Sequence, residues 1–225
     1  MMMNSKQAVP LFRLFKLKIT ADQRANFLAA GRQNLLTSLA NEPGTLAMYA
    51  THADELGVEN DVVEVYRDAP SYDIHANSPQ FAAFKAIAKQ AVVQQEVVNL
   101  TPVLLLEQPQ PLRISTNAEQ VVWLLEVSVK PGKAAAYRQV IMRTMQAVLA
   151  TEPGTLTLKI GHEATDSQKW VIFAVFQDAA AEQAHGQSAA GKQYQTDSQT
   201  LVAQTRSTRL FGDTLVQRGG LVFKG

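Results

Sequence analysis

The sequence predicts an α+β protein made of two copies of one β-α-β-β-α-β unit, and three observations carry that prediction. The pentapeptide Glu-Pro-Gly-Thr-Leu occurs at 42–46 and again at 152–156, an offset of 110 residues. The offset then holds without a gap: Leu14 meets Leu124, Ala25 meets Ala135, Asp68-Ala69 meets Asp178-Ala179, and Ser78 meets Ser188. The histidines pair as His52 with His162 and His75 with His185. Within each copy the apolar period switches between two and about 3.6. A repeat this long means duplicated domains, because solenoid repeats run only about 20 to 50 residues.

The elements follow in order. Segments 11–19 and 121–129 alternate, with Leu11, Phe15, Leu17 and Ile19 on one parity and Val121, Trp123, Leu125, Val127 and Val129 on its equivalent; period two is a strand. Helical spacing comes next, placing Leu28, Leu35 and Leu39 on one face in the first copy and Tyr137, Val140, Ile141, Met145 and Val148 in the second. Pro43-Gly44 and Pro153-Gly154 stop these helices, since proline cannot continue one and glycine accommodates the turn. Strands at 45–52 and 61–67, and at 155–162 and 169–177, pair as hairpins. A second helix carries Phe81, Phe84, Ala88 and Val92 on one face, its Gln-rich counterpart spans about 192–203, and a last strand lies near 103–106. This is the split βαβ or ferredoxin-like order. Domains are expected at 11–107 and 120–216, with a linker at 108–119, where Pro109 and Pro111 favour an extended connector, and a C-terminal tail at 217–225.

The third strands are apolar on both parities: Val62 and Tyr66 against Val63 and Val65, and Ile172 and Phe176 against Val171, Phe173 and Val175. Strands of this kind have both faces covered. Helices cover one face, so the two repeats are expected to pack sheet to sheet as an intrachain pseudo-dimeric α+β barrel, with room for a further homo-oligomer.

Composition narrows the function classes. Apolar residues at 46% and charged residues at 18% describe an ordinary folded chain. Twenty-one basic against 20 acidic residues, with no dense Lys/Arg cluster, argue against nucleic acid as a partner. Zero cysteines remove disulfides, zinc thiolates, iron–sulfur clusters and thiol nucleophiles. Residues 1–10 lack the apolar run of a secretory signal, and the longest uncharged apolar run, 97–106, is well short of the ~20 residues of a membrane span. A cytoplasmic protein without a membrane contact is the expectation.

Glu-Pro-Gly-Thr-Leu at the end of the first helix, Val-Val-Glu-Val-Tyr-Arg-Asp at 62–68 and His-Ala-Asn-Ser-Pro-Gln-Phe at 75–81 resemble the antibiotic biosynthesis monooxygenase family. The second repeat matches in order and spacing, with Ala174 where the first has Glu64. The resemblance implies a dimeric α+β barrel of ferredoxin-like subunits, with a ligand cleft between helices and sheet. It also implies a histidine at the start of the second helix facing that cleft, which by position is His75, and His185 in the second repeat. The family's activities include cofactor-independent oxygenation of quinols and phenols and haem degradation.

His75 and His185 are therefore the candidate catalytic bases, imidazole being the side chain whose unperturbed pKa lies nearest neutrality. Tyr49, Glu64, Tyr66, Phe81 and Phe84 are the candidate substrate-binding residues; a carboxylate among apolar neighbours is set for a raised pKa, while the aromatic residues equally suit a core. The first repeat, with Glu64, Tyr66 and Phe81 against Ala174, Phe176 and Gly191, has the fuller polar and aromatic set, so any oxygenation is expected to depend on His75 far more than on His185. Haem is disfavoured because Val65 and Val175 stand ten residues before the two histidines, where haem-degrading relatives carry tryptophan, and neither first strand contains asparagine. Four histidines on separate elements lack any metal-ligand spacing, and no glycine-rich dinucleotide loop is present. The expectation is a cofactor-independent monooxygenase of a small aromatic quinol or phenol, with dioxygen as co-substrate and no metal, flavin or haem. The alternative is a non-enzymatic small-molecule-binding or stress-related protein on the same barrel.

Overall fold

In the computed structural model, which describes residues 8–115 and 119–225, each repeat is a four-stranded antiparallel sheet backed by helices. Residues 1–7, part of the segment read above as lacking a signal, and linker residues 116–118 lie outside the described residues. The first repeat comprises β1 (Leu11–Ile19), α1 (Arg24–Asn41), β2 (Thr45–His52), β3 (Glu59–Tyr66), α2 (Ala69–Ala76), α3 (Pro79–Ala91) and β4 (Val92–Glu107). A connector strand, β5 (Leu112–Ser115), leads to β6 (Val121–Val129), α4 (Ala134–Met145), α5 (Val148–Thr151), β7 (Thr155–Glu163), β8 (Lys169–Phe176), α6 (Ala179–Gln187), α7 (Ala189–Ser198) and β9 (Val202–Gln217). Strand β10 (Val222–Lys224) ends the chain at the position equivalent to β5.

Strand order is β4-β1-β3-β2 in the first repeat and β9-β6-β8-β7 in the second. The sheets face each other as expected, and they also join at their edges: β2 pairs with β9 and β4 with β7, so eight strands close into one antiparallel barrel. Two long strands make both joins. The first half of β4 pairs with β1 of its own repeat, from Val92 to Leu100, and the second half, from Leu100 to Glu107, pairs with β7 of the other. The halves of β9 divide in the same way between β6 and β2.

Local chemistry explains where the elements differ from the sequence expectation. The last strand of the first repeat was expected only near 103–106, because exposed Gln94, Gln95 and Glu96 break the apolar pattern of its first half. Two helices replace the single second helix. Asp68 accepts from Ser71 N to cap α2, and Ser78 accepts from Phe81 N to cap α3, whose first residue is Pro79. Helix α7 ends at Ser198, so Val202 and Ala203, placed in a helix by the sequence reading, begin β9. The inner face of α1 runs through Phe27, Gly31, Asn34, Leu35, Ser38 and Leu39, with Leu28 only partly covered.

Alternation along the strands sorts side chains into two environments. Phe12, Leu14, Tyr49, Val63, Val122 and Phe173 fill the barrel interior. Met48, Tyr66, Leu158 and Ile172 point outward beneath the helices. Polar pairs also cross between repeats. Inside the barrel Lys159 Nζ donates to Glu107 Oε1 at 2.6 Å, both side chains fully buried, and Tyr49 Oη donates to Gln217 Oε1 at 2.7 Å. Under the 110-residue offset these are the same contact, Tyr49 matching Lys159 and Gln217 matching Glu107. Burial pushes the Lys159 ammonium down, opposed by the Glu107 charge. At the β2–β9 join, Asp213 accepts from Arg24 at 3.1 Å and lies 3.0 Å from His52 Nδ1.

One end of the barrel is a charged mouth of about 280 Å³. Lys16 and Glu126, equivalent positions of the two repeats, meet there at 2.5 Å, beside Asp61 and Arg206. Burial raises the Asp61 carboxyl to about 6, with Lys16 opposing and Glu126 reinforcing the shift.

Two predictions follow from these contacts. Glu107→Gln leaves a buried ammonium without its carboxylate and should cost about 3–5 kcal/mol in chemical denaturation. Combining it with Lys159→Tyr recreates the Tyr49–Gln217 contact and should recover most of that loss; a double variant no more stable than the single would refute the equivalence. Asp61 is protonated more readily folded than unfolded, so its contribution is full in acid and lost as pH rises through about 6. Asp61→Asn should therefore flatten the stability profile between pH 4 and 7 and stabilise the protein at pH 8, by up to about 3 kcal/mol.

Candidate functional site

A cleft lies between helices and sheet in each repeat, and its walls differ. In the first repeat the cleft is about 190 Å³, bounded by α1, α3 and the outer face of β1 and β3. Glu64, Phe81 and Phe84 line it, joined by Phe27, Gly31 and Asn34. Tyr66 sits behind Glu64 and donates its hydroxyl to Oε2 at 2.8 Å. Burial raises the Glu64 carboxyl, against the opposing effects of His75 and the Tyr66 hydrogen bond. Tyr49 is on the other face of the sheet, inside the barrel, 5.0 Å from the Phe173 ring.

His75 occupies the C-terminal turn of α2 and is fully buried. It is not among the cleft-lining residues; the Phe81 ring, 4.7 Å away, and the Tyr66 ring, at 5.5 Å, pack against it. Its Nδ1 lies 3.1 Å from Glu42 Oε2, and its Nε2 is buried without a hydrogen-bond partner. Glu42 also accepts from Gln80 and Thr45, each at 2.5 Å.

In the second repeat the cleft is about 300 Å³ and His185 is part of its wall, with Trp123, Ala174, Glu182, Gly186 and Tyr194. His185 Nδ1 lies 2.6 Å from Glu152 Oε2, and the histidine side chain is 20% exposed against 1% for His75. Across the cleft Trp123 Nε1 donates to Glu182 Oε1 at 2.6 Å. The more accessible histidine is thus in the second repeat, although the first has the fuller polar set.

Two exchanges of glycine account for the asymmetry. Gly31 leaves the space beside α1 open in the first repeat, and the second repeat has the buried Ile141 at that position. Conversely, Phe81 packs on His75, whereas the second repeat has Gly191 there, whose Cβ position is only 2.3 Å from the His185 carbonyl oxygen. No side chain fits at Gly191, and His185 keeps part of its side chain on the cleft wall.

The partners Glu42 and Glu152 escaped the sequence reading, although the signal is present. In both repeats the glutamate of Glu-Pro-Gly-Thr-Leu precedes the histidine by 33 residues. That motif ends the first helix where the following helix packs down, which brings carboxylate to imidazole. A carboxylate accepts only, so it selects the tautomer with hydrogen on Nδ1 and leaves Nε2 basic. Such a pair can take a proton from an acidic hydroxyl. Among the described residues, no group of three or more His, Cys, Asp or Glu is placed to hold a metal ion, and no helix is long and apolar enough to cross a membrane.

The antibiotic biosynthesis monooxygenase profile matches residues 10–87 and 121–197, once in each repeat. No curated protein matches the sequence significantly. Among solved structures, a putative monooxygenase of Lactobacillus acidophilus NCFM superposes with a TM-score of 0.89 at 24% identity, over 96% of this chain and 100% of that one. A like-named protein of Fusobacterium nucleatum subsp. nucleatum ATCC 25586 gives 0.88 at 20% identity, over 97% and 99%. An anthrone oxidase-like protein gives 0.58 at 10% identity, over 96% and 95%. These likenesses establish the two-repeat barrel as a recurring architecture.

Proposed function

Since the chain belongs to the antibiotic biosynthesis monooxygenase family, we propose that it oxygenates a small aromatic substrate of the phenol or quinol class, with dioxygen and without a cofactor, in the second-repeat cleft. The observation that carries this reading is His185 on the wall of a mainly apolar cleft, with Glu152 2.6 Å from its Nδ1.

Glu152 holds His185 with Nδ1 protonated, and Nε2 removes the substrate's hydroxyl proton. The electron-rich anion then reduces dioxygen directly. A phenol and O2 become a quinone and water: one oxygen atom enters the ring, the other leaves as water, and the substrate supplies all four electrons that reduce the dioxygen. Leu125, Leu158, Ile160 and Ile172 keep water from the anion. The ring stacks beside Trp123 and Tyr194. His75 has the same carboxylate partner, but Phe81 packs over it, and it serves as the buried link between α2 and the end of α1.

Oxygen uptake with a panel of phenols and quinols tests the assignment. His185→Ala should lower the rate about 10²- to 10⁴-fold with little change in melting temperature. His75→Ala should instead destabilise the fold, removing one of the partners of buried Glu42 and the contacts of a fully buried ring, at a cost of about 1–3 kcal/mol. Equal rates for wild type and His185→Ala would remove the base assignment, and no uptake on any substrate would favour the binding-protein reading.

A further inference from the structure

We propose that Glu182 is the specificity-determining residue of the second-repeat cleft and selects a phenol that carries a protonated amine, the ammonium lying between Glu182 and Trp123 while the hydroxyl meets His185. The inference names a substrate class for the site assigned above and rests on that reading for its chemistry; its binding half is measured without turnover.

The charge of the wall comes first. Glu182 and His185 are three residues apart on α6, so their side chains emerge as neighbours, about 5–6 Å apart at Cβ. Around them the lining is mainly apolar and aromatic and includes no Lys or Arg. Glu182 is half-buried. Its Oε1 accepts from Trp123 Nε1 at 2.6 Å, which fixes the carboxylate against the sheet, and its Oε2 has no hydrogen-bond partner or ion pair among the described residues. A carboxylate only accepts, so a donor completes it. In an apolar wall the donor that also cancels its charge is a cation.

The other repeat shows what is missing. Under the 110-residue offset Trp123 and Glu182 stand where the first repeat has Arg13 and Tyr72. There the Arg13 guanidinium lies over the Tyr72 ring, 4.6 Å from its centroid, so strand and helix are joined by a cation on an aromatic face. The second repeat puts the aromatic ring on the strand and an acid on the helix, and it has no cation of its own in the cleft. A ligand ammonium supplies one, donating to Glu182 Oε2 with its charge beside the rings of Trp123 and Tyr194. Tyr194 is held for this by its hydroxyl, 2.7 Å from that of Tyr137.

Size and spacing give the rest of the ligand. A hollow of about 150 Å³ takes benzene, so about 300 Å³ takes one ring with a short side chain. Such a molecule has a hydroxyl at one end for His185 and an ammonium at the other for Glu182. An anionic phenol sets like charges together at Glu182, and a neutral one leaves that carboxylate covered without a counter-charge.

Calorimetric titration of the full chain in the absence of oxygen, with tyramine, para-ethylphenol and para-hydroxyphenylpropionate, compares a cation, a neutral molecule and an anion of similar shape. Tyramine should bind at least about tenfold tighter than para-ethylphenol, and the anion should bind weakest. Glu182→Gln still accepts from Trp123 and should bring tyramine and para-ethylphenol to about equal affinity, whereas Glu182→Lys should favour the anion. Ala174→Leu, at a position where the first repeat accommodates the longer Glu64, fills the cleft and should weaken binding of tyramine. Melting temperatures check that each variant is folded. Equal affinity of wild type for tyramine and para-ethylphenol, a tyramine preference retained in Glu182→Gln, or unchanged binding in Ala174→Leu would each overturn the proposal. In air, Glu182→Gln should raise KM for tyramine far more than it lowers kcat, as expected of a residue that binds the substrate away from the reacting ring carbon. Oxygen uptake without preference for tyramine removes Glu182 from specificity and leaves oxygenation standing; Glu182-dependent binding of tyramine without uptake removes oxygenation and leaves the ammonium site.

Discussion

Closure of the sheet is the constraint on which the rest of the molecule depends. A four-stranded ferredoxin-like sheet has two free edges and one bare apolar face, and either alone invites aggregation. Here both are removed in one act, because β4 and β9 are each long enough to finish their own sheet and start the other. The barrel interior is consequently packed with side chains from both repeats, and the space left for ligands lies outside it, between sheet and helices. The division between scaffold and site therefore follows the alternation of the strands: Val63 and Val65 serve the barrel, while Glu64 between them faces a cleft.

Within that frame the clefts are produced by omission. Each repeat has the same helices over the same strands, and the empty volume appears wherever one copy lacks a side chain that the other retains. Gly31 against Ile141 and Phe81 against Gly191 are the two decisive exchanges, and they act on different sides of the histidine. One exchange leaves space beside α1 away from His75, and the other leaves His185 on the wall of its cleft. Chemistry then follows from which groups border the hollow: a carboxyl whose pKa is raised by burial in one case, a carboxylate-oriented imidazole in the other.

Much of this was legible in the sequence, because duplication and alternation are local signals. The offset, the strand periods, the helix stops at Pro43-Gly44 and Pro153-Gly154 and the apolar character of both faces of β3 and β8 were enough for the architecture. The doubled length of β4 was hidden because its first half carries Gln94, Gln95 and Glu96 at the barrel mouth, where strand pairing is satisfied without burial. At the site, Glu64, Phe81 and Phe84 could be placed by parity and helical spacing. The position of Tyr49 inside the barrel was equally a matter of parity, since it alternates with Met48 beneath the helices. What single-chain periodicity cannot supply is which side of a histidine its neighbours cover. That depends on the packing of α2 and α3 against the end of α1, contacts between residues more than thirty positions apart.

The contact between Lys16 and Glu126 has one more consequence. In a dimer of identical subunits a residue on the two-fold axis meets its own copy, so a lysine there faces a lysine and a glutamate a glutamate. Fusion of the two halves into a single polypeptide lifts that restriction, and opposite charges now occupy what is one position written twice. The buried pair at Lys159 and Glu107 deepens the asymmetry, since two copies of either half alone would bury a charge without its counter-charge. Fusion of this kind acts as a ratchet: once the axis residues have become complementary instead of identical, self-pairing of either half sets like charges against each other, and the walls of the two clefts are free to diverge.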